Sequence, residues 1–246
     1  MTTEIQEVLV VGLSAVHTLH PISVGIDAFG HLYRPANDKI ERCCQGLFSF
    51  FTTLYDKAWV SAIYYSNLNM IDDYKKGKIT TEVFLENLLN IFSFLKGKEN
   101  AKELLTNAWN AIVEVTDQDK EKLDYLKRQG KPIYFISNTN ELNAKVIFDA
   151  FFGPNDSRDL SHNASKGEII KLEANIHFVP SFRTGNFKNE TPGLIGNLAA
   201  KLRGEGKSVH VISQFQADLD RAQELGLQNT NAREFFASLT AKPKMA

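Results

Sequence analysis

The chain has 246 residues, of which 43% are hydrophobic and 23% are charged, and its formal net charge is -1. This length suffices for one sizeable domain with a smaller insertion, and the composition excludes a largely disordered chain. A net charge so close to zero provides no overall attraction to nucleic acid or to an anionic membrane. We therefore expect neither of them as a partner.

The cysteines and the apolar runs bear on the compartment. Cys43 and Cys44 are adjacent, and neighbouring cysteines form a disulfide only with strain, so they predict neither a disulfide framework nor a zinc site. The apolar run Val8–Val11 is too short to span a bilayer, and no small-residue cleavage site follows it. We therefore expect a cytoplasmic protein, although export by a route that leaves no such signal stays open.

The first predicted core strand is Ser23–Asp27, an apolar run that ends on a carboxylate and is soon followed by Gly30. The preceding segment Thr3–Leu19 is ambiguous. Its apolar spacing suits a helix, whereas its valines favour an extended chain. We assign no function to it.

More than a hundred residues separate Asp27 from the next predicted strand at Ile133, whereas a strand-helix-strand unit needs only about 30. This distance predicts an insertion. Its apolar spacing indicates helices, over Ile40–Tyr55, Trp59–Met70, Val83–Leu95 and Ala101–Val115. We predict a helical cap at residues 36–115 and a core made of residues 1–35 and 116–246.

The remainder of the chain twice shows a helix, a glycine and then a strand. Helix Lys120–Gln129, which starts at a capping box in Thr116–Asp119, precedes strand Ile133–Ser137. Helix Pro192–Arg203 precedes strand Val209–Ser213. Such repeats are typical of an α/β fold with a doubly wound parallel sheet, in which ligands bind beyond the carboxyl ends of the strands.

Four segments at or beside these strand ends occur in a characteristic order: Asp27–Leu32, Phe135–Asn140, Gly185–Glu190 and Val211–Asp218. They resemble the motifs of haloacid-dehalogenase-like (HAD) hydrolases with a helical cap inserted after the first strand. Those motifs are Asp-x-Asp-Gly-Thr-Leu, a strand ending in Ser or Thr, a lysine shortly before a helix, and a strand followed by Gly/Ser-Asp-x-x-x-Asp. The similarity extends over Val24–Leu227.

The resemblance implies a HAD-type hydrolase that acts on a small anionic substrate, either a phosphomonoester or a 2-haloacid. Asp27 would be the catalytic nucleophile that forms a covalent intermediate. Ser137 would donate a hydrogen bond to the transferred group, and Lys188 would neutralise its charge.

The resemblance also implies substrate-binding roles for His31, Asn138 and Ser213. Magnesium would be held by Asp27 and Asp218. Two positions depart from the family pattern. Phe29 stands in place of the second aspartate, which donates a proton to the leaving group, and Gln214 replaces a metal-binding carboxylate.

These departures leave three hypotheses. The first is a metal-independent hydrolase similar to the 2-haloacid dehalogenases, which carry an aromatic residue where Phe29 stands. The second is a HAD-fold protein that has lost catalysis and serves as a binding or regulatory module, with a protein partner on the aromatic surface of the cap. The third is a phosphatase with a weakly held magnesium ion, in which His31 or water is the acid.

Each residue also has an ordinary explanation. Asp27 suits a turn after a strand, and Asp218 suits the first turn of a helix because the helix dipole favours an acid there. Lys188 alone resembles a solvated surface lysine. The order of the four segments is what favours the resemblance, and it supports a fold more directly than a function.

Overall fold

The structure is a computed structural model that describes residues 5–33, 58–155, 159–162 and 167–240. Cys43, Cys44 and the predicted helix Ile40–Tyr55 lie outside these residues. The chain divides into two compact units. The first comprises Met1–Thr18, Lys75–Gly77 and Val115–Ala246, and the second comprises Leu19–Tyr74 and Lys78–Glu114. The chain therefore first passes from the first unit to the second after Thr18, whereas the sequence predicted that the cap begins after residue 35.

The described residues form strands and helices that we number in chain order. The strands are β1 (Glu7–Gly12), β2 (Thr18–Leu19), β3 (Val113–Glu114), β4 (Ile133–Ser137), β5 (Ile170–Glu173), β6 (Ile176–Pro180), β7 (Ser208–Ser213) and β8 (Gln228–Asn231). The helices are α1 (Ile22–Tyr33), α2 (Leu68–Lys75), α3 (Thr81–Ile91), α4 (Ala101–Asn110), α5 (Asp117–Arg128), α6 (Glu141–Phe152), α7 (Ser181–Thr184), α8 (Gly193–Gly204), α9 (Gln216–Glu224), α10 (Ala232–Phe235) and α11 (Ala237–Thr240). Residues 58–66 are also helical.

The first unit contains a six-stranded sheet with the order β5-β6-β4-β1-β7-β8. All neighbouring pairs are parallel except β5 with β6, which is an antiparallel edge pair. The predicted doubly wound parallel sheet is therefore confirmed. Strand Ile133–Ser137 has the predicted bounds, and α5 begins at the predicted capping box between Thr116 and Asp119.

The central strand is β1, which the sequence left ambiguous. Its residues Val8 to Val11 are all buried, with at most 1% of their surface exposed. Val8 and Val10 pack with α8 residues such as Leu198 in one cluster, while side chains of alternate residues point to the opposite face. A strand that is covered on both faces has a continuous apolar sequence rather than an alternating one.

The predicted strand Ser23–Asp27 is wrong, because this segment lies in helix α1. Pro21 immediately precedes the helix, and its carbonyl accepts a hydrogen bond from the amide of Val24 (2.9 Å). Proline suits a helix start because the first amides have no partner within the helix. Gly25 and Phe29, four residues apart and therefore on one face, are buried.

The second unit is largely helical in its described part, and aromatic rings fill its interior. Phe29 stacks on Phe92 with ring centroids 5.1 Å apart, and Trp59 meets Phe92 edge to face. Tyr74 stacks on Phe84 at 4.1 Å. Phe29 therefore packs in the interior of the second unit and does not stand in place of a catalytic acid.

Among the helices of the described residues, none combines the length and apolar character needed to cross a membrane.

The central position of β1 predicts a large cost for truncating Leu9, which is 1% exposed. Leu9→Ala should lower the free energy of unfolding by about 2–5 kcal/mol, because burial is lost and a cavity forms. Ile5→Ala, at a residue that is 69% exposed, should change it by less than about 0.5 kcal/mol. Urea denaturation measures both, and equal effects would contradict a buried central strand.

His210 on β7 predicts acid sensitivity. Burial lowers the pKa of His210 below its ordinary value of 6.5, and its ring contacts Glu7 (3.3 Å) and Thr230 (2.8 Å). Between the two pKa values the unfolded chain binds more protons than the folded one, so stability should fall as the pH drops below about 6.5. His210→Gln should make the melting temperature less dependent on pH between about 7 and 5. An unchanged pH dependence would show that His210 does not contribute.

Candidate functional site

The candidate site lies at the carboxyl edge of the central sheet. Strands β1, β4 and β7 are neighbours and end there on Gly12, Ser137 and Ser213, respectively. The register pairs Gly12 with Ile136, one residue before Ser137. Ligands of open parallel sheets bind at this edge, because the loops that follow the strands surround it.

A buried ion pair is the main electrostatic feature of this edge. The Lys188 ammonium donates a hydrogen bond to Oδ2 of Asp218 at 2.5 Å, and the two side chains are only 7% and 4% exposed. The hydroxyl of Ser213 donates to the same carboxylate oxygen at 2.6 Å. The arrangement joins the end of β7, the first turn of α9 and the loop before α8.

Backbone contacts fix the loop that carries Lys188. The Lys188 amide donates to Oδ1 of Asn138 at 2.7 Å. Gly193, at the start of α8, has a φ of +60°, and a Cβ there would lie 2.8 Å from the Phe187 carbonyl oxygen and 2.9 Å from that of Lys188. Glycine is needed at this position for both reasons.

Phe215 covers part of the ion pair. Its amide donates to the Ser213 hydroxyl at 3.2 Å, and its ring centroid lies 4.9 Å from the Lys188 ammonium. A cation above an aromatic face is attracted by the ring quadrupole. Phe215 is nevertheless 43% exposed, so this ring is accessible at the surface of the first unit.

The end of β1 provides no carboxylate. Gly12 takes the position that an aspartate nucleophile would need, at the end of the strand that precedes the insertion and lies between β4 and β7. Ser14 stands two residues later, in a short 3₁₀ turn at Leu13–Ala15. Its hydroxyl oxygen is buried and has no hydrogen-bond partner among the described residues.

The backbone of Gly12 does not require glycine, since its φ is -58° and its ψ is 121°. The constraint is space. A Cβ at this position would lie 3.1 Å from the Ser213 hydroxyl oxygen, so the serine would have to move by a few tenths of an ångström. A Cβ at position 12 would therefore make a tight contact with the present position of the Ser213 hydroxyl.

Two predicted site residues are not where the sequence argument placed them. Asp27 lies within helix α1 of the second unit rather than at the end of a core strand, so the reason for making it a nucleophile or a metal ligand is lost. His31 belongs to the same helix and no longer follows a catalytic loop. By contrast, Ser137, Asn138, Lys188, Ser213 and Asp218 all lie in the first unit, and the last four share the contacts described above. Their catalytic and binding roles remain predictions.

The donor set does not fit magnesium. In the family pattern the ion is held by the carboxylate after the first strand and by carboxylates after the last motif strand, which here correspond to Gly12, to exposed Gln214 and to Asp218. Oδ2 of Asp218 already accepts from Lys188 and Ser213. Within the described residues no group of three or more His, Cys, Asp or Glu side chains could hold a metal ion.

His17, five residues after the end of β1, is buried, and its Nδ1 lies 3.1 Å from the Thr18 carbonyl oxygen. Burial lowers its pKa. Burial therefore favours the uncharged form of the ring. The sequence did indicate strand β1, because the continuous apolar run Val8–Val11 is typical of a central strand in a parallel sheet.

Comparison with known proteins gives a consistent result for the fold. No family model and no curated protein matches the sequence. A HAD family enzyme, BT-2542 from Bacteroides thetaiotaomicron, matches with a TM-score of 0.58 at 19% identity, over 98% of this chain and 100% of that one. Its complex with magnesium and inorganic phosphate matches with a TM-score of 0.57 at 19% identity, over 92% and 93% of the two chains. A HAD-like family hydrolase from Porphyromonas gingivalis has a TM-score of 0.56 at 15% identity, over 98% and 100%.

The parallel sheet, the insertion after its central strand and the polar groups at its carboxyl edge define an α/β protein of the Rossmann-like class. Within this class the chain has the HAD-like fold, and the resemblance expected from the sequence is confirmed at that level. HAD family enzymes are among its structural neighbours.

The buried ion pair predicts that replacing one partner strongly lowers the free energy of unfolding. Lys188→Met should lower the free energy of unfolding by about 3–5 kcal/mol, because it leaves the Asp218 carboxylate buried without its cation. The double variant Lys188→Met/Asp218→Asn should lose less than the sum of the single variants, by about 0.5–3 kcal/mol.

The exposed pair Lys120–Asp117, with side chains 51% and 97% exposed, is the matched control. Its double-mutant cycle should give at most about 1 kcal/mol. Urea denaturation of both cycles provides the comparison, and additivity at Lys188 and Asp218 would contradict direct coupling.

Proposed function

We propose that this chain is a HAD-fold protein that binds a small anionic molecule at the carboxyl edge of β1, β4 and β7 and does not hydrolyse it through an aspartyl intermediate. The observation that carries the proposal is the end of β1, where Gly12 stands in place of a nucleophile. The proposal shares the loss of catalysis with the second hypothesis of the sequence, but it places a small anion at the sheet edge instead of a protein partner on the cap, and it rests on Gly12 and Ser14 rather than on Phe29.

The chemistry of these residues supports the loss of catalysis. Covalent catalysis needs a nucleophile on the enzyme, and glycine at position 12 has no side chain. Protonation of a leaving group needs an acid whose pKa lies near the working pH, whereas the aliphatic hydroxyl at Ser14 does not ionise in that range. Magnesium, which assists phosphoryl transfer in the family, lacks two of its carboxylates here.

The same edge keeps groups that suit an anion. The buried hydroxyl of Ser14 lacks a partner, and leaving such a group unsatisfied costs about 1–3 kcal/mol. An anionic oxygen would accept a hydrogen bond from this hydroxyl. Ser137, at the end of the neighbouring strand, provides a second hydroxyl, whereas the charge of Lys188 is already offset by Asp218. The BT-2542 enzyme has been crystallised with inorganic phosphate, which makes phosphate a suitable probe.

Inorganic phosphate should raise the melting temperature, because a ligand that binds only the folded state stabilises it by mass action. Ser14→Ala should weaken phosphate binding roughly two- to tenfold, as expected for one lost hydrogen bond. In the absence of phosphate the same variant should be more stable than the parent by about 1 kcal/mol, because it removes an unsatisfied buried hydroxyl.

Calorimetric titration and thermal melts measure these opposite effects. Ser208→Ala, at the exposed start of β7, is the control and should change neither quantity. No phosphate binding by the parent chain would overturn the proposed anion site.

Catalysis is tested separately. We expect no product from phosphomonoesters or 2-haloacids, with or without magnesium. Turnover that Asp27→Asn abolishes would return the nucleophile role to Asp27 and overturn the proposal.

Rebuilding the lost carboxylates should create a metal site. The variant Gly12→Asp/Ser14→Asp/Gln214→Asp, combined with Ser213→Gly to make space at position 12, should bind magnesium in calorimetry where the parent chain does not. Magnesium binding of equal strength by the parent would show that the present donor set suffices.

A further inference from the structure

The turn Lys75–Gly77 is grouped with the first unit, although the segments that flank it in sequence belong to the second. The Ser181 hydroxyl donates to the Lys75 carbonyl oxygen at 2.6 Å. Gly77 has a φ of +69°, and a Cβ there would lie 1.9 Å from the Phe182 carbonyl oxygen. The turn is therefore in direct contact with the backbone of α7, and a residue with a side chain would not fit at Gly77.

Lys76, in the middle of this turn, contacts the loop that leads to Lys188. Its ammonium donates to Oε1 of Glu190 at 2.5 Å and lies 4.5 Å from the centroid of the Phe187 ring. The side chain of Lys76 is 21% exposed, compared with 63% for the nearby Lys78, which pairs with Asp73 instead.

Glu190 links this contact to the candidate site. Its second oxygen, Oε2, accepts a hydrogen bond from the Phe187 amide at 2.8 Å. The next amide along the chain, that of Lys188, donates to Asn138. One carboxylate thus holds the Lys76 ammonium and the amide of Phe187, the residue immediately before Lys188.

We propose that Lys76 is a positioning residue for Lys188, acting through Glu190 and Phe187. Without the ammonium, the partly exposed Glu190 carboxylate gains more from water than from the Phe187 amide, and the ring loses the cation above it. The loop then opens more often, which frees the Lys188 amide from Asn138. An isolated surface ion pair contributes little, but this one shares its carboxylate with a backbone amide and its cation with a ring.

The inference does not depend on a bound anion, so it is tested on the ligand-free chain. Amide hydrogen exchange of the full chain, resolved by residue with NMR, reports the opening of Phe187 and Lys188 directly. In Lys76→Met we expect both amides to exchange about tenfold faster, as expected when a hydrogen bond to a charged group is lost. Amides of β7, such as that of Val211, should keep the rate of the parent chain.

Three further variants separate positioning from a general loss of stability. Lys78→Met removes the lysine that directly follows the turn and should leave the exchange of both amides unchanged. Lys76→Arg keeps the charge and should restore most of the protection. Glu190→Gln keeps an acceptor for the Phe187 amide but weakens the ion pair, so exchange should be intermediate. Unchanged exchange at Phe187 and Lys188 in Lys76→Met, or equal acceleration in Lys78→Met, would overturn the proposal. The proposed anion site is tested separately by phosphate binding, and neither exchange result decides it.

Discussion

A buried ammonium and a buried carboxylate determine the structure of the site. Removing either charge from water is costly, so each needs its partner at close range together with further hydrogen bonds. Asp218 meets this requirement with Lys188 and Ser213, which fixes the first turn of α9 against the end of β7 and the loop before α8. Two further hydrogen bonds, from the Lys188 amide to Asn138 and from the Phe187 amide to Glu190, support the loop position that the ion pair requires.

The same constraint bears on the proposed loss of catalysis at this edge. Lysine and aspartate in the third and fourth motifs can be kept for the stability of the loops alone, since losing one of them would leave the other charge buried. A nucleophile has no such structural partner. On the proposed function, glycine at position 12 leaves the ion pair intact, so the fold would persist without the chemistry. Sequence patterns at Lys188 and Asp218 therefore report the fold more reliably than the activity.

The sequence predicted the architecture from periodicity and from the repeated helix-strand order, and strand β4 and the capping box of α5 agree with it in detail. It failed at the amino-terminal strand for a physical reason. The continuous run Val8–Val11 has no alternation, so its pattern suits a helix as well as a doubly covered strand. Asp27, which ends another apolar run, was then assigned to the end of the first core strand. Placing the first motif at the end of β1 would have required recognising that motif without its aspartate. Side-chain packing such as the Phe29–Phe92 stack cannot be read from one sequence.

The space at position 12 links the absent nucleophile to the ion pair. The Ser213 hydroxyl that would crowd a Cβ at position 12 also donates to Asp218 and accepts from the amide of Phe215. A Cβ at position 12 would require this hydroxyl to shift by a few tenths of an ångström, which acts on both of these hydrogen bonds. In this arrangement a residue at position 12 and the present network oppose each other. Glycine at the end of β1 relieves that conflict, which makes it part of the packing of the edge as well as the loss of a reactive group.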